Sequence, residues 1–279
     1  MEKQYEIMRQ IASFTAEGCS GKKFAYTKAY GCAQNEADME IIRGMLEIMG
    51  YDFTEEPEQA DIIVINTCAV REGAEDRIYG NVGAFKKIKE RNRDLIICVC
   101  GCMTQREETV EKLKNSYPYV DIVFGTHGLS TFPEKLFEHI KTGKRVFEIK
   151  NESEIVEGLP VKREKSASAN VSIMYGCNNF CSYCIVPYTR GRERSRNCEN
   201  IIAEISALAK DGVTEITLLG QNVNSYGKDL EDKITFAQLL RRINDIDGIK
   251  RIRFMMWMWC SGPVCCMCRK RSSSTLACR

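Results

Sequence analysis

From Lys23 to about Lys150, short apolar runs alternate with stretches whose apolar residues recur at helical spacing. Strand signals fall at 23–30 (KFAYTKAY), 61–67 (DIIVINT), 95–101 (LIICVCG), 120–125 (VDIVFG) and 145–149 (RVFEI). Helical signals fall between them, at 35–50, 71–90, 104–116 and 130–143. Near-continuous Ile/Val strands separated by helices predict an α/β fold: an open parallel sheet, flavodoxin-like or Rossmann-like in class, covered on both faces. Residues 151–168 (NESEIVEGLPVKREKSAS) are polar and aperiodic and read as a linker. A second βα series follows, with strands at 170–175, 215–220 and 251–254 and helices at 199–211 and 235–246. That series predicts the opening of a β/α barrel, a fold whose active sites lie at the C-terminal ends of the strands.

The expected organisation is a leader (1–21), a first domain (22–150), the linker (151–168), a partial barrel domain (169–254) and a tail (255–279). The tail departs from everything before it: MMWMWCSGPVCCMCRKRSSSTLACR holds both tryptophans and five of the fifteen cysteines, with no helix or strand period. A break of this kind reads as an altered reading frame or an artificial end, the alternative being a Cys/Met-rich soft-metal site.

Composition narrows the function classes. Forty basic against 38 acidic side chains leave a net charge of +2, so RNA contacts would have to come from local patches rather than bulk charge. The N-terminus lacks a signal-peptide core and no stretch approaches span length, so a cytoplasmic protein without membrane contact is expected. In a reducing compartment the cysteines are better read as ligands or redox groups than as disulfides. With only His127 and His139 present, ordinary imidazole acid–base chemistry has little to work with.

Two cysteine sets stand out. Cys177, Cys181 and Cys184 follow the first strand of the second series as C-x-x-x-C-x-x-C. Three close thiolates suit three corners of a cubane iron-sulfur cluster and leave one iron open; zinc is the alternative, although paired C-x-x-C units are absent here. Cys32, Cys68 and Cys102 follow the first, second and third strands of the first domain, and in an open parallel sheet those strand ends face one crevice. Each lies in a small-residue context (AYGCAQNEAD, NTCAVREGA, CGCMTQ), which fits a second three-ligand cluster, with buried structural thiols as the alternative. Cys98 and Cys100 share the alternation of the third strand and read as sheet-packing residues. Arg190, Arg192, Arg194 and Arg196 alternate beyond the cysteine loop; if extended they form a one-sided stripe for phosphate or carboxylate, or else a solvated strand.

In order along the chain, YGCAQNEAD, NTCAVREGA, CGCMTQ, IMYGCNNFCSYCIVPYTRGRERSR and LLGQNVNSYG together resemble the radical S-adenosylmethionine methylthiotransferases, over about residues 22–254. The PYTRG run and the GQNVN loop look most like the tRNA branch that makes 2-methylthio-N6-dimethylallyladenosine. By that resemblance Cys177, Cys181 and Cys184 ligate a 4Fe-4S cluster whose open iron chelates S-adenosylmethionine, and one electron from a reducing protein releases a 5'-deoxyadenosyl radical. Cys32, Cys68 and Cys102 hold the auxiliary 4Fe-4S cluster that delivers sulfur to C2 of the adenine next to the anticodon of tRNA, and a second S-adenosylmethionine supplies the methyl. The resemblance also puts Tyr183 beside the cofactor adenine, ordinary loop packing being the alternative. Gln221, Asn222, Asn224 and Arg192 are candidate cofactor contacts, against turn chemistry for the three amides. Related branches act on threonylcarbamoyladenosine or on a ribosomal-protein aspartate, and a non-catalytic iron-sulfur fragment is the remaining alternative. The family continues beyond Phe254 with further barrel strands and an RNA-binding domain that are not recognisable here, so a C-terminally truncated or frameshifted form, acting as a monomer, is the expectation.

Overall fold

A computed structural model describes residues 2–17, 21–69, 74–151, 155 and 157–255. The cysteines of the tail and Cys19 lie outside the described residues, as does the predicted helix start at 71–73. The chain forms two compact units: Met1–Arg163 with Tyr188–Arg190, and Glu164–Pro187 with the residues from Gly191 onward.

In chain order the first unit contains α1 (Glu2–Glu17), β1 (Lys23–Tyr30), α2 (Ala33–Ile48), β2 (Tyr51–Phe53), β3 (Ile62–Thr67), α3 (Ala74–Arg91), β4 (Ile96–Gly101), α4 (Glu107–Ser116), β5 (Ile122–Gly125), α5 (Phe132–Thr142) and β6 (Val146–Glu148). The sheet is parallel throughout, in the order β2-β1-β3-β4-β5-β6. This is the flavodoxin-like winding, with its topological switch between β1 and β3. Every residue of β3 is buried, as a strand covered on both faces requires.

The two faces sort by strand alternation. Val64, Cys98, Cys100, Ile122 and Phe124 pack in one core with residues of α1, α2 and α5. Ile63, Ile65, Ile97, Val99 and Val123 pack in the other with residues of α3 and α4. Cys98 and Cys100 are thus core side chains, and burial pushes both thiols far up from the ordinary range.

Two expectations are corrected here. Residues 1–21 were expected to be a leader, but α1 buries Met8 and Ile11 completely in the first core; its charges occupy the opposite face, which masks the apolar stripe. The segment expected to be a linker is fixed at its C-terminal end. Lys162 donates its backbone N–H to the Glu40 carbonyl at 2.9 Å, Arg163 pairs with Glu40 at 3.0 Å, and a side chain at Gly44 of α2 would collide with the Pro160 carbonyl. Strand β2, only three residues long, was too short to leave a periodic signal.

The second unit contains β7 (Ser168–Ser172), β8 (Met174–Tyr175), β9 (Arg194–Ser195), α7 (Cys198–Lys210), β10 (Glu215–Leu219), α8 (Phe236–Asn244) and β11 (Arg251–Phe254). A short helix, α6 (Val186–Arg190), precedes β9. Strands β7, β10 and β11 are parallel neighbours in the order β11-β10-β7, with α7 and α8 as the crossovers, which is the expected opening of a β/α barrel. Val171, Ile201, Ile205, Ile216, Leu218, Leu239 and Ile243 join strands and helices in one core. Helix α8 starts with a capping box, Thr235 and Gln238 satisfying each other's backbone N–H groups.

The predicted strand 170–175 breaks into two. After Ser172 the chain leaves β10, and β8 pairs antiparallel with β9 (Met174 opposite Ser195, Tyr175 opposite Arg194). This two-stranded ladder closes the base of the cysteine loop.

Candidate metal centres

None of the nine cysteines among the described residues is in a disulfide. In the second unit, Gly176 adopts φ +78, and a side chain there would collide with the Arg192 carbonyl; the loop can therefore turn back on itself only with glycine at this position. Cys177 N–H donates to the Gly191 carbonyl at 3.1 Å and Cys184 N–H to the Cys181 carbonyl at 2.9 Å, which fixes both ends of the triplet. Between them Phe180 carries φ +44, a strained conformation for an aromatic residue, with the Arg192 guanidinium 4.4 Å from its ring centre. Burial raises the Cys177 thiol, a hydrogen bond from the Asn179 backbone opposes it, and the charges of Glu193, Cys184 and Cys181 add smaller upward pushes.

The amides after β10 hold this loop. Gln221 Oε1 accepts the Gly176 N–H at 2.6 Å. Asn222 Nδ2 donates to Glu193 Oε1 and to Ser225 Oγ, both at 2.8 Å. Glu193 Oε1 also accepts from the Asn178 N–H at 3.3 Å, and Asn178 Oδ1 accepts from the Glu193 N–H at 3.1 Å. Tyr183 is 70% exposed and Asn224 is exposed, so these two present their side chains to solvent.

The arginine stripe does not form. Arg190 ends α6 and is buried, and Gly191 at φ +74 redirects the chain, so extended alternation begins only in the two-residue β9. Arg192 covers Phe180, and Arg196 donates to the Ser172 carbonyl and to Glu204, both at 2.8 Å.

In the first unit, Cys32 follows β1, Cys68 follows β3 and Cys102 follows β4. Cys32 and Cys68 therefore flank the switch between β1 and β3, where doubly wound sheets receive ligands. The hydrogen bond from Cys68 brings the Cys32 thiol down to about 5, against the opposing effect of burial and with help from the charge of Arg190. Burial raises the Cys102 thiol, while the Arg190 charge and a hydrogen bond from it act the other way; the charge of Cys32 is also felt there. All three cysteines thus share one electrostatic neighbourhood.

A buried amide network frames them. Asn35 Nδ2 donates to Asn66 Oδ1 at 2.7 Å and to the Thr67 carbonyl at 2.9 Å, and Asn66 Nδ2 returns a bond to the Asn35 carbonyl at 3.0 Å. Cys32 Sγ lies 3.2 Å from Asn35 Oδ1. Cys102 N–H donates to the Thr67 carbonyl at 2.9 Å, across a turn in which Gly101 has φ +109. Arg190 Nη2 donates to Asp38 Oδ2 at 2.8 Å, and both side chains are nearly fully buried. His127 is buried in the turn after β5.

Among the described residues, no three His, Cys, Asp or Glu side chains are gathered tightly enough to grip one metal ion. A cubane spreads its corners wider than one ion, and each set presents three thiols outside disulfides beside a glycine turn, the donor chemistry such a cluster takes.

Residues 24–125 match the uncharacterized protein family UPF0004, and residues 171–256 match the radical SAM superfamily. The sequence is 54% identical over 257 residues to a tRNA-2-methylthio-N(6)-dimethylallyladenosine synthase of Thermoanaerobacter sp. (strain X514), covering 91% of this chain and 54% of the relative. It is 57% identical over 231 residues to the protein of that name in Clostridium tetani, covering 82% and 51%. The chain thus carries a UPF0004 region followed by a radical SAM region. It spans about half the length of the curated relatives it matches. A solved radical S-adenosylmethionine methyltransferase, TsrM from Kitasatospora setae, superposes with a TM-score of 0.53 at 14% identity over 83% of this chain and 54% of that one, which is a likeness of fold.

Sequence reasoning missed Asn35, Asp38 and Asn66, and it gave Arg190 to a phosphate stripe. The signal for the first two lay in the run NEAD at 35–38, separated from Cys32 by two residues, where polar residues at helical spacing open α2 on its buried side.

Proposed function

We propose that the protein inserts sulfur and a methyl group at C2 of N6-dimethylallyladenosine, next to the anticodon of tRNA, by radical S-adenosylmethionine chemistry. The observation that carries this reading is the pairing in one chain of two three-cysteine sets, one on a clamped loop after a barrel strand and one at the switch of a doubly wound sheet. The names of relatives 53–57% identical support the choice of acceptor over the related branches.

Cys177, Cys181 and Cys184 would hold one 4Fe-4S cluster, and Cys32, Cys68 and Cys102 the other. When bound, the first supplies the electron that cleaves S-adenosylmethionine and the second supplies sulfur. Gln221 and Asn222 act through the loop: by fixing Gly176 and Glu193 they hold the thiols in register. Tyr183, Asn224 and Arg192 are the side chains offered to the cofactor, Tyr183 with an exposed ring face and Arg192 with a charge suited to its carboxylate. The substrate is tRNA, the electron donor is a reducing electron-transfer protein, and the chain works as a cytoplasmic monomer. No helix among the described residues is long and apolar enough to cross a membrane.

Anaerobic reconstitution with iron and sulfide, followed by reduction in the presence of S-adenosylmethionine, tests the reading. Formation of 5'-deoxyadenosine is expected, together with loss of the 2-methylthio nucleoside from tRNA of a deletion strain. Iron uptake without 5'-deoxyadenosine would leave an iron-sulfur binding protein and sink the catalytic reading; an intact nucleoside profile would sink the choice of acceptor.

A further inference from the structure

Arg190 belongs to the first unit although it lies far along the chain from the rest of it. Its side chain is 5% exposed, and its partner Asp38 is 6% exposed. Gln34 Nε2 donates to the other oxygen of Asp38 at 3.1 Å, which fixes the carboxylate. Thr126 Oγ1 donates to the Thr189 carbonyl and holds the backbone beside Arg190. Asp38 lies on α2, the helix that Cys32 opens, so the anchored guanidinium sits near the first-domain thiols, and its charge is felt at both Cys102 and Cys32.

An ion pair this deep is a poor staple, since apolar side chains of similar volume generally stabilise a core as well or better. A guanidinium has properties that such a pair lacks: a fork that engages a carboxylate and a sulfur together, and a positive charge that does not titrate. Hydrogen bonds to sulfur and local net charge are among the quantities that set the potential of an iron-sulfur cluster. In a buried setting each fixed charge acts with less screening than at the surface.

We propose that Arg190 is a positioning residue of the Cys32, Cys68 and Cys102 centre: anchored by Asp38 on the helix that Cys32 opens, it holds a buried positive charge beside the thiols and raises the reduction potential of the cluster held there. The proposal rests on the reading that these three cysteines hold a cluster. Its test uses the full chain with Cys177, Cys181 and Cys184 all replaced by Ala, so that only this centre is loaded, reconstituted anaerobically with iron and sulfide. Iron per chain and an EPR-monitored potential titration are the readouts. The double variant Arg190→Gln/Asp38→Asn removes both charges without stranding either. At the parent's midpoint its reduced-to-oxidised ratio should fall about tenfold, a shift of about 59 mV to more negative potential for one electron. Arg190→Lys keeps the charge but loses the fork, and should shift by less in the same direction; it carries the test alone if circular dichroism shows that the double variant does not fold. Iron bound by the parent but lost from a folded variant also supports the role. Midpoints and iron contents equal to the parent's would overturn it. A parent that takes up no iron overturns the cluster reading and this proposal with it, a result distinct from an unshifted midpoint.

Discussion

The two cysteine centres are built by opposite routes. In the second unit all three thiols lie on one loop, and what holds them is local or nearly so: a glycine turn, a two-stranded ladder and two amides after the next strand. In the first unit the thiols come from three strand ends, and the groups around them come from α2, β3 and the end of α6. The looped centre depends on backbone conformation. The assembled centre depends on buried polar groups satisfying one another, and there removing one partner is expensive because the other stays buried.

This contrast predicts different sensitivities. The largest effect is expected from Asp38→Ala, which leaves the Arg190 guanidinium buried without its carboxylate; a loss of about 3–5 kcal/mol is expected, read as a lower urea midpoint. A change below about 1 kcal/mol would mean that the assembled centre does not rely on its charges. Next comes Gly176→Ala in the looped centre, where positive φ and the collision with the Arg192 carbonyl act together. It should cost about 1–3 kcal/mol and lower the iron bound at Cys177, Cys181 and Cys184, while a chain still loading that site fully would show that the loop can re-form without glycine. The smallest effect is expected from Gln221→Ala, which removes one hydrogen bond to a half-buried backbone N–H and should cost about 0.5–1.5 kcal/mol. Its sharper signature is a loop that exchanges amide hydrogen faster at Gly176; unchanged exchange there would remove Gln221 from the clamp.

The same contrast explains what could be read from sequence. Strands β1 and β11 fall where alternation and flanking turns put them, and the flavodoxin-like winding follows from buried Ile/Val runs spaced by helices. Tertiary partners determined the rest: Met8 and Ile11 belong to a core helix because α2 and α5 cover them, and the strand starting at Asn170 splits because Met174 finds a new partner in Ser195. In the looped centre the cysteine spacing could be read directly, whereas the role of Gln221 in clamping Gly176 could not.

By itself, the sequence determined the two βα series, the cysteine triplet and the positions of the other three thiols at strand ends, because period and spacing are local properties of a chain. Only the tertiary structure decided that Arg190, 152 residues from Asp38, leaves the expected stripe and turns its charge toward Cys102 and Cys32. Desolvation is the reason: a charge taken out of water requires a partner, and which partner is available depends on how distant segments pack.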